Sequence, residues 1–258
     1  MAETNKIIVI GVGNSGTRVL GKLLYDLLYE KDRPLKYYYE PLYWQGDNGD
    51  KDIVINDNAI KAHTGHPLLP DKSEPWPFID SFMDSFTGIA KFIRLGSRIH
   101  TVIDRPVKFI WITRELFSFL GSMQKNFPRA LPKAGWHHRP GEYDDYKRLS
   151  VLYEKYALRE EEEYRVEVEA AWWHLHNQRI FEFSGRSNVL HIRYEDLCSN
   201  PKFQMQRLCK FIDILYRDSN IKFHNPYEHM VQANPSSLHK ILRIAGNLNK
   251  LLYPENEK

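Results

Sequence analysis

Residues 11–18 read Gly11-Val12-Gly13-Asn14-Ser15-Gly16-Thr17-Arg18. Glycines at this density let a backbone fold closely around a ligand. The preceding Ile7-Ile8-Val9-Ile10 is a continuous β-branched run, the pattern of a buried strand. After Thr17, Val19, Leu20, Leu23, Leu24, Leu27 and Leu28 recur at helical spacing, so the loop opens an amphipathic helix. A strand–loop–helix junction gathers unpaired backbone N–H groups and the positive end of a helix dipole at one point. Its chemistry is anion binding, most often of phosphate.

Two ligand classes fit this loop. Gly11, Gly13 and Gly16 satisfy the dinucleotide pattern G-x-G-x-x-G. Glu40 lies 24 residues past Gly16, near the end of a second strand over 35–39, where a ribose-binding acid is expected. That reading implies an NAD(P)-dependent oxidoreductase. Gly11 to Gly16 also has the G-x-x-x-x-G spacing of a phosphate loop. Thr17 and Arg18 then occupy the places of Lys and Ser/Thr, which argues against Mg²⁺-dependent ATP or GTP hydrolysis. Taken alone, the loop slightly favours the dinucleotide.

Downstream residues reverse that preference. A strand over 107–113 (VKFIWIT) ends in Arg114, and Ser122 follows eight residues later in the next helix. An Arg at a strand's C-terminal end sits on the edge where α/β proteins bind ligands. An Arg fork and a hydroxyl about two helical turns apart suit a second phosphate. A third segment, Tyr194-Glu195-Asp196-Leu197-Cys198-Ser199-Asn200-Pro201, follows a buried strand over 189–193 and leads into an amphipathic helix.

The loop GNSGTR, the Arg114-to-Ser122 spacing and YEDLCSNP, in that order, resemble the sulfotransferase family that uses 3′-phosphoadenosine-5′-phosphosulfate (PAPS). The resemblance is scattered over residues 7–215 and implies a P-loop-like α/β fold with no metal. The glycine loop (Gly11, Gly13, Asn14, Ser15, Gly16, Thr17, Arg18) resembles the 5′-phosphosulfate loop. Arg114 and Ser122 resemble the 3′-phosphate site, and Tyr194 resembles a tyrosine that lies by the adenine. Asn14 departs from the family, which usually carries a basic residue there; Arg18 or Lys22 can supply that charge. The departure also leaves open a nucleotide-binding module without turnover.

Sulfuryl transfer needs an in-line approach, cations on the developing charge and a base for the acceptor hydroxyl. Glu40 resembles the Glu that serves as base in members with carbohydrate or tyrosine acceptors. His63, in Lys61-Ala62-His63, is the second candidate. That triplet mimics a Lys-Thr-His of cytosolic members, but Lys61 stands 53 residues before Arg114, too far for the family's triplet. Lys91, 23 residues before Arg114, fits better and would stabilise the leaving phosphate. His137-His138 and His174/His176 lack the spacing and companions of a metal set; the latter two, with Trp111, Trp172 and Trp173, read as packing residues.

The elements that must hold these groups follow from patterning. The chain opens β-loop-α-β, as a doubly wound sheet does. Residues 79–103 read as mostly helical with a short strand near 89–93, and helices are expected over 115–125, 150–183 and 201–215. The last 40 residues resist assignment beyond helical or irregular. Stretches 44–88 and 126–148, rich in aromatics, Pro, Asp and Gly, read as acceptor-side insertions or a lid; Tyr43, Trp44 and Trp136 are compatible with a sugar. The expected architecture is a single α/β domain over 1–258, a central parallel sheet flanked by helices. Composition is ordinary for a folded chain, with 42% hydrophobic and 27% charged residues. A net charge of +3 is too small for a nucleic-acid coat but sufficient for one anion pocket. The early apolar run is too short for a membrane span, and two cysteines, Cys198 and Cys209, fit no disulfide scaffold. The expectation is a cytoplasmic enzyme acting on a small-molecule or glycan acceptor.

Overall fold

A computed structural model of the chain describes residues 6–13, 15–28, 37–39, 79–92, 95–126, 162–216 and 223–257. Five strands form one sheet: β1 (Lys6–Ile10), β2 (Tyr37–Tyr39), β3 (Gly88–Phe92), β4 (Lys108–Thr113) and β5 (Val189–Arg193). Their order is β2-β3-β1-β4-β5, and every pairing is parallel. β1 is central, with Val9 opposite Lys91 of β3 on one side and Ile110 of β4 on the other. Covered on both faces and both edges, it needs apolar side chains at every inner position, hence its unbroken Ile-Ile-Val-Ile.

Period-two alternation sends the strand side chains into two layers. Ile7, Val9, Ile89, Ile110 and Ile112 pack with Leu20, Leu23 and Leu24 of α1 (Thr17–Leu28). Leu197 of α6 (Tyr194–Ser199) and Met205, Leu208 and Ile212 of α7 (Pro201–Ile212) complete that layer. Ile8, Ile10, Phe92, Phe109 and Trp111 face the other way. They meet α2 (Ile79–Ser85), α3 (Leu116–Asn126), α4 (Glu162–Asn177), α5 (Ile180–Phe183) and the helices that end the chain. Each aliphatic side chain so buried contributes about 1.5–3 kcal/mol relative to exposure.

Local signals set the helix ends. Asn200 accepts from the N–H of Phe203 and Pro201 takes the first turn, so α7 begins where the Asn-Pro pair stands. It stops at Asp213, whose left-handed φ of 62° ends the helix short of residue 215.

The short strand expected near 89–93 is the fully buried β3, and α2 and a 3-10 turn (Gly96–Thr101) flank it as the helical remainder; two other expectations change here. β3 lies between β1 and β2, so its burial on both faces removes the alternation that would have marked it. Within the stretch 44–88, α2 and the residue after it place Phe82, Met83 and Phe86 in the core, so that end packs with the scaffold. The helix expected over 150–183 is interrupted in its described part at Gln178-Arg179, between α4 and α5.

Candidate active site

In this strand order the chain runs out from β1 to the β2 edge, returns to β3, then crosses to β4 on the far side. The C-terminal end of β1 is therefore the topological switch point, where open α/β sheets bind ligands. The glycine loop stands there. Gly11 N–H donates to Phe92 O (3.3 Å) and Ser15 N–H to Val12 O (3.1 Å), folding the loop back on itself. Gly16 has φ +86°, and its carbonyl accepts the first bond of α1, from Leu20 N–H (3.0 Å). A Cβ at Gly16 would lie 2.5 Å from Tyr194 Cδ2, and one at Gly11 2.5 Å from Ile112 O. Both glycines are required by space, and Gly16 by conformation as well.

Ser15 is fully buried, yet its hydroxyl has no hydrogen-bond partner among the described residues. Leaving a buried hydroxyl unsatisfied costs about 1–3 kcal/mol, so a ligand oxygen at this position fits the loop. Gly13 is half-buried, Thr17 is buried, and Arg18 and Lys22 are exposed on the first turns of α1. Asn14 lies outside the described residues.

Arg114 begins the loop after β4 and is 8% exposed. Its Nε donates to Ser118 Oγ (2.8 Å) and its Nη2 to Pro226 O (2.7 Å). Ser118 Oγ also donates to Pro226 O. Trp173 Nε1 donates to the Arg114 carbonyl (2.8 Å), which fixes the backbone beneath the guanidinium. Burial pushes the Arg114 pKa below its ordinary value, opposed by the neighbouring Tyr194, Glu195, Cys198 and Glu115; the guanidinium stays charged at any physiological pH. Ser122 is buried one turn beyond Ser118 on α3. The spacing argument thus passed over Ser118, the hydroxyl that the Arg114 Nε bonds.

Tyr194 joins the two regions. Its ring edge abuts Gly16, and the Arg114 guanidinium carbon stands 5.1 Å from its ring centroid. Burial pushes the phenol up to about 12, so it is protonated at neutral pH, and its hydroxyl donates to His224 O (3.5 Å). Glu195 is also buried; its Oε1 accepts from Glu115 N–H (3.1 Å), and burial raises its pKa. Three motifs read from separate parts of the sequence therefore touch at one edge of the sheet.

Lys91 sits at the penultimate position of β3, 3% exposed, in register with Val9 and Tyr39. Strand alternation puts it on the α1 side, with Ile89. Glu40, His63, His137 and His138 lie outside the described residues. His176 is buried in α4, its Nδ1 accepting from Ser97 N–H (3.4 Å), and Trp111 and Trp173 are fully buried core. Among the described residues, no group of three or more His, Cys, Asp or Glu side chains could hold a metal ion. No described helix is long and apolar enough to cross a membrane.

The strand order removes the dinucleotide alternative. A Rossmann sheet sets its second strand beside the first, so the acid ending the second strand reaches the ribose. Here β3 intervenes between β1 and β2. The sulfotransferase-domain family matches residues 4–241, and the chain belongs to that family. Its structure is similar to the sulfotransferase domain from the curacin biosynthetic pathway, at 14% identity and TM-score 0.49, over 95% of this chain and 97% of that one. The sulfotransferase domain of the Synechococcus PCC 7002 olefin synthase gives 14% and 0.47, over 96% of each chain. The mouse sulfotransferase SULT7A1 complexed with PAP gives 15% and 0.45, over 94% of this chain and 64% of that one. All three TM-scores are below 0.5, and the assignment rests on the family match.

Proposed function

We propose that this chain transfers a sulfuryl group from PAPS to a hydroxyl or amine of a small-molecule or glycan acceptor. The observation that carries the proposal is the contact of Tyr194 with both Gly16 and Arg114. It joins one anion-binding loop to one buried cation across an aromatic ring, as a nucleotide with a phosphate at each end of its ribose requires. The Ser15 hydroxyl, without a partner among the described residues, and the glycine cradle suit the 5′-phosphosulfate, Arg114 with Ser118 and Ser122 suits the 3′-phosphate, and Tyr194 suits the adenosine between them.

In the transfer, the bond from sulfur to the 5′-phosphate oxygen breaks as a bond to the acceptor forms. The acceptor's proton passes to a base, Glu40 first and His63 second. The charge left on the 5′-phosphate is met by the loop N–H groups, Arg18 and Lys91. One well-aimed donor of this kind contributes about 3 kcal/mol to lowering the barrier. Both cysteines are free thiols, which agrees with a reducing compartment such as the cytoplasm.

The test is a thermal-shift comparison of PAP (adenosine 3′,5′-bisphosphate) with NAD(P), followed by sulfate transfer from PAPS across an acceptor panel. PAP should stabilise the protein, NAD(P) should not, and at least one acceptor should be sulfated. Stabilisation by NAD(P) alone would overturn the proposal. PAP binding without transfer to any acceptor would make the chain a nucleotide-binding module.

A further inference from the structure

The family match ends at residue 241, but the described chain continues in further helical segments. After α8 (Pro235–Ile241) come a π-helical segment (Leu242–Gly246), α9 (Asn247–Leu252) and a 3-10 turn (Pro254–Glu257). We infer that residues 242–257 are a positioning element for the donor site, acting through Asn249 and Tyr253. The inference rests on the reading of Arg114 as the 3′-phosphate cation.

Asn249 is 8% exposed, and both ends of its amide are used. Oδ1 accepts from Leu116 N–H (3.0 Å), and Nδ2 donates to Glu115 Oε1 (2.9 Å). Leu116 opens α3, and the first N–H groups of a helix have no acceptor within it. Asn249 therefore caps α3 from the far end of the chain. The other oxygen of Glu115 accepts from Ser118 N–H (2.8 Å), and Ser118 Oγ accepts from Arg114 Nε. An unbroken line of hydrogen bonds thus leads from Asn249 to the guanidinium.

Tyr253 grips the residue on the other side. Its hydroxyl donates to Thr113 Oγ1 (2.9 Å), immediately before Arg114, and Thr113 Oγ1 also bonds His191 Nε2 (2.9 Å). On β5, Arg193 Nη1 donates to Leu252 O (3.3 Å) and pairs with Glu255. The segment thus holds the ends of β4 and β5 on both sides of Arg114. A displacement of about 1 Å in a positioning group is enough to cost binding or rate severalfold or more.

The test compares dissociation constants for PAP and for 5′-AMP, which lacks the 3′-phosphate. Asn249→Ala leaves Leu116 N–H and Glu115 without this partner; it should weaken PAP about tenfold and 5′-AMP by no more than about twofold. Tyr253→Phe keeps the ring and loses one hydroxyl; it should weaken PAP about threefold with the same selectivity. It also carries the test should Asn249→Ala fail to fold. Equal losses for both nucleotides, or none, in the folded variants would reduce the segment to a stabilising one. Arg114→Ala separates the two readings. If it abolishes the preference for PAP while Asn249→Ala and Tyr253→Phe leave it intact, only the positioning role fails. If Arg114→Ala also leaves it intact, the donor assignment itself fails.

Discussion

The two ends of the proposed donor groove are built in opposite ways. At the glycine loop, side chains are withheld: Gly11 and Gly16 leave no room for a Cβ, and the Ser15 hydroxyl is buried without a partner among the described residues. At Arg114, nearly every polar group is tied down, by Ser118, Pro226, Trp173, Glu115, Glu195 and Asn249. The loop presents backbone dipoles, which need only the right dihedral angles. The Arg114 end presents a long, rotamer-rich side chain, which must be restrained before it can aim a charge. One end is specified by what is missing, the other by what surrounds it.

The contrast can be broken most severely at Gly16. Gly16→Val forces a β-branched residue into a positive φ and into the Tyr194 ring; it should cost at least about 3 kcal/mol and abolish PAP binding. Urea unfolding checks this, and a variant of unchanged stability would mean that loop and ring do not touch in solution. Next in size is Arg114→Ala, expected to weaken PAP at least tenfold, about 1.4 kcal/mol. An unchanged dissociation constant by calorimetry would show that the crowded end serves no anion.

A smaller effect should appear with pH at the crowded end. Burial, then the charge of Arg193, lowers the His191 pKa to about 4 from an ordinary 6.5. Below pH 6.5 the unfolded chain takes up a proton that the folded chain refuses. This contribution is therefore complete above 6.5 and is lost as pH falls toward 4, on the order of 1 kcal/mol for a half-buried ring. Unfolding midpoints of wild type and His191→Gln should converge over that window; parallel curves would remove His191 as the cause. Smallest is Ser15→Ala, expected to leave stability within about 0.5 kcal/mol while weakening PAP about threefold. A marked loss of stability would mean the hydroxyl already has a partner, and the contrast between the ends would weaken.

The same contrast explains what was legible in the sequence. The loop, β1 and α1 follow from adjacent residues, because glycine spacing and hydrophobic period act locally. β4, β5 and the Asn200-Pro201 start of α7 were equally plain. β3 could be placed only near 89–93, because a doubly buried strand lacks alternation and this one carries Lys91. The bond from Arg114 to Ser118 was not read, since helical spacing alone cannot choose between Ser118 and Ser122. Trp173 was read only as packing; its buried indole N–H, which generally finds an acceptor, was the clue to the Arg114 carbonyl. Asn249 and Tyr253 left no local signal, because their partners lie more than 130 residues away in the chain.

The central place of β1 has a consequence for the birth of the protein. Its apolar Ile7–Ile10 run leaves the ribosome well before its partners, which begin at Gly88 and Lys108. Until both have been synthesised, this apolar strand lacks its partners in the described sheet, and parallel pairing over such separations is slow. Slowing translation before residue 108 should therefore lengthen its exposure, and slowing it afterwards should not.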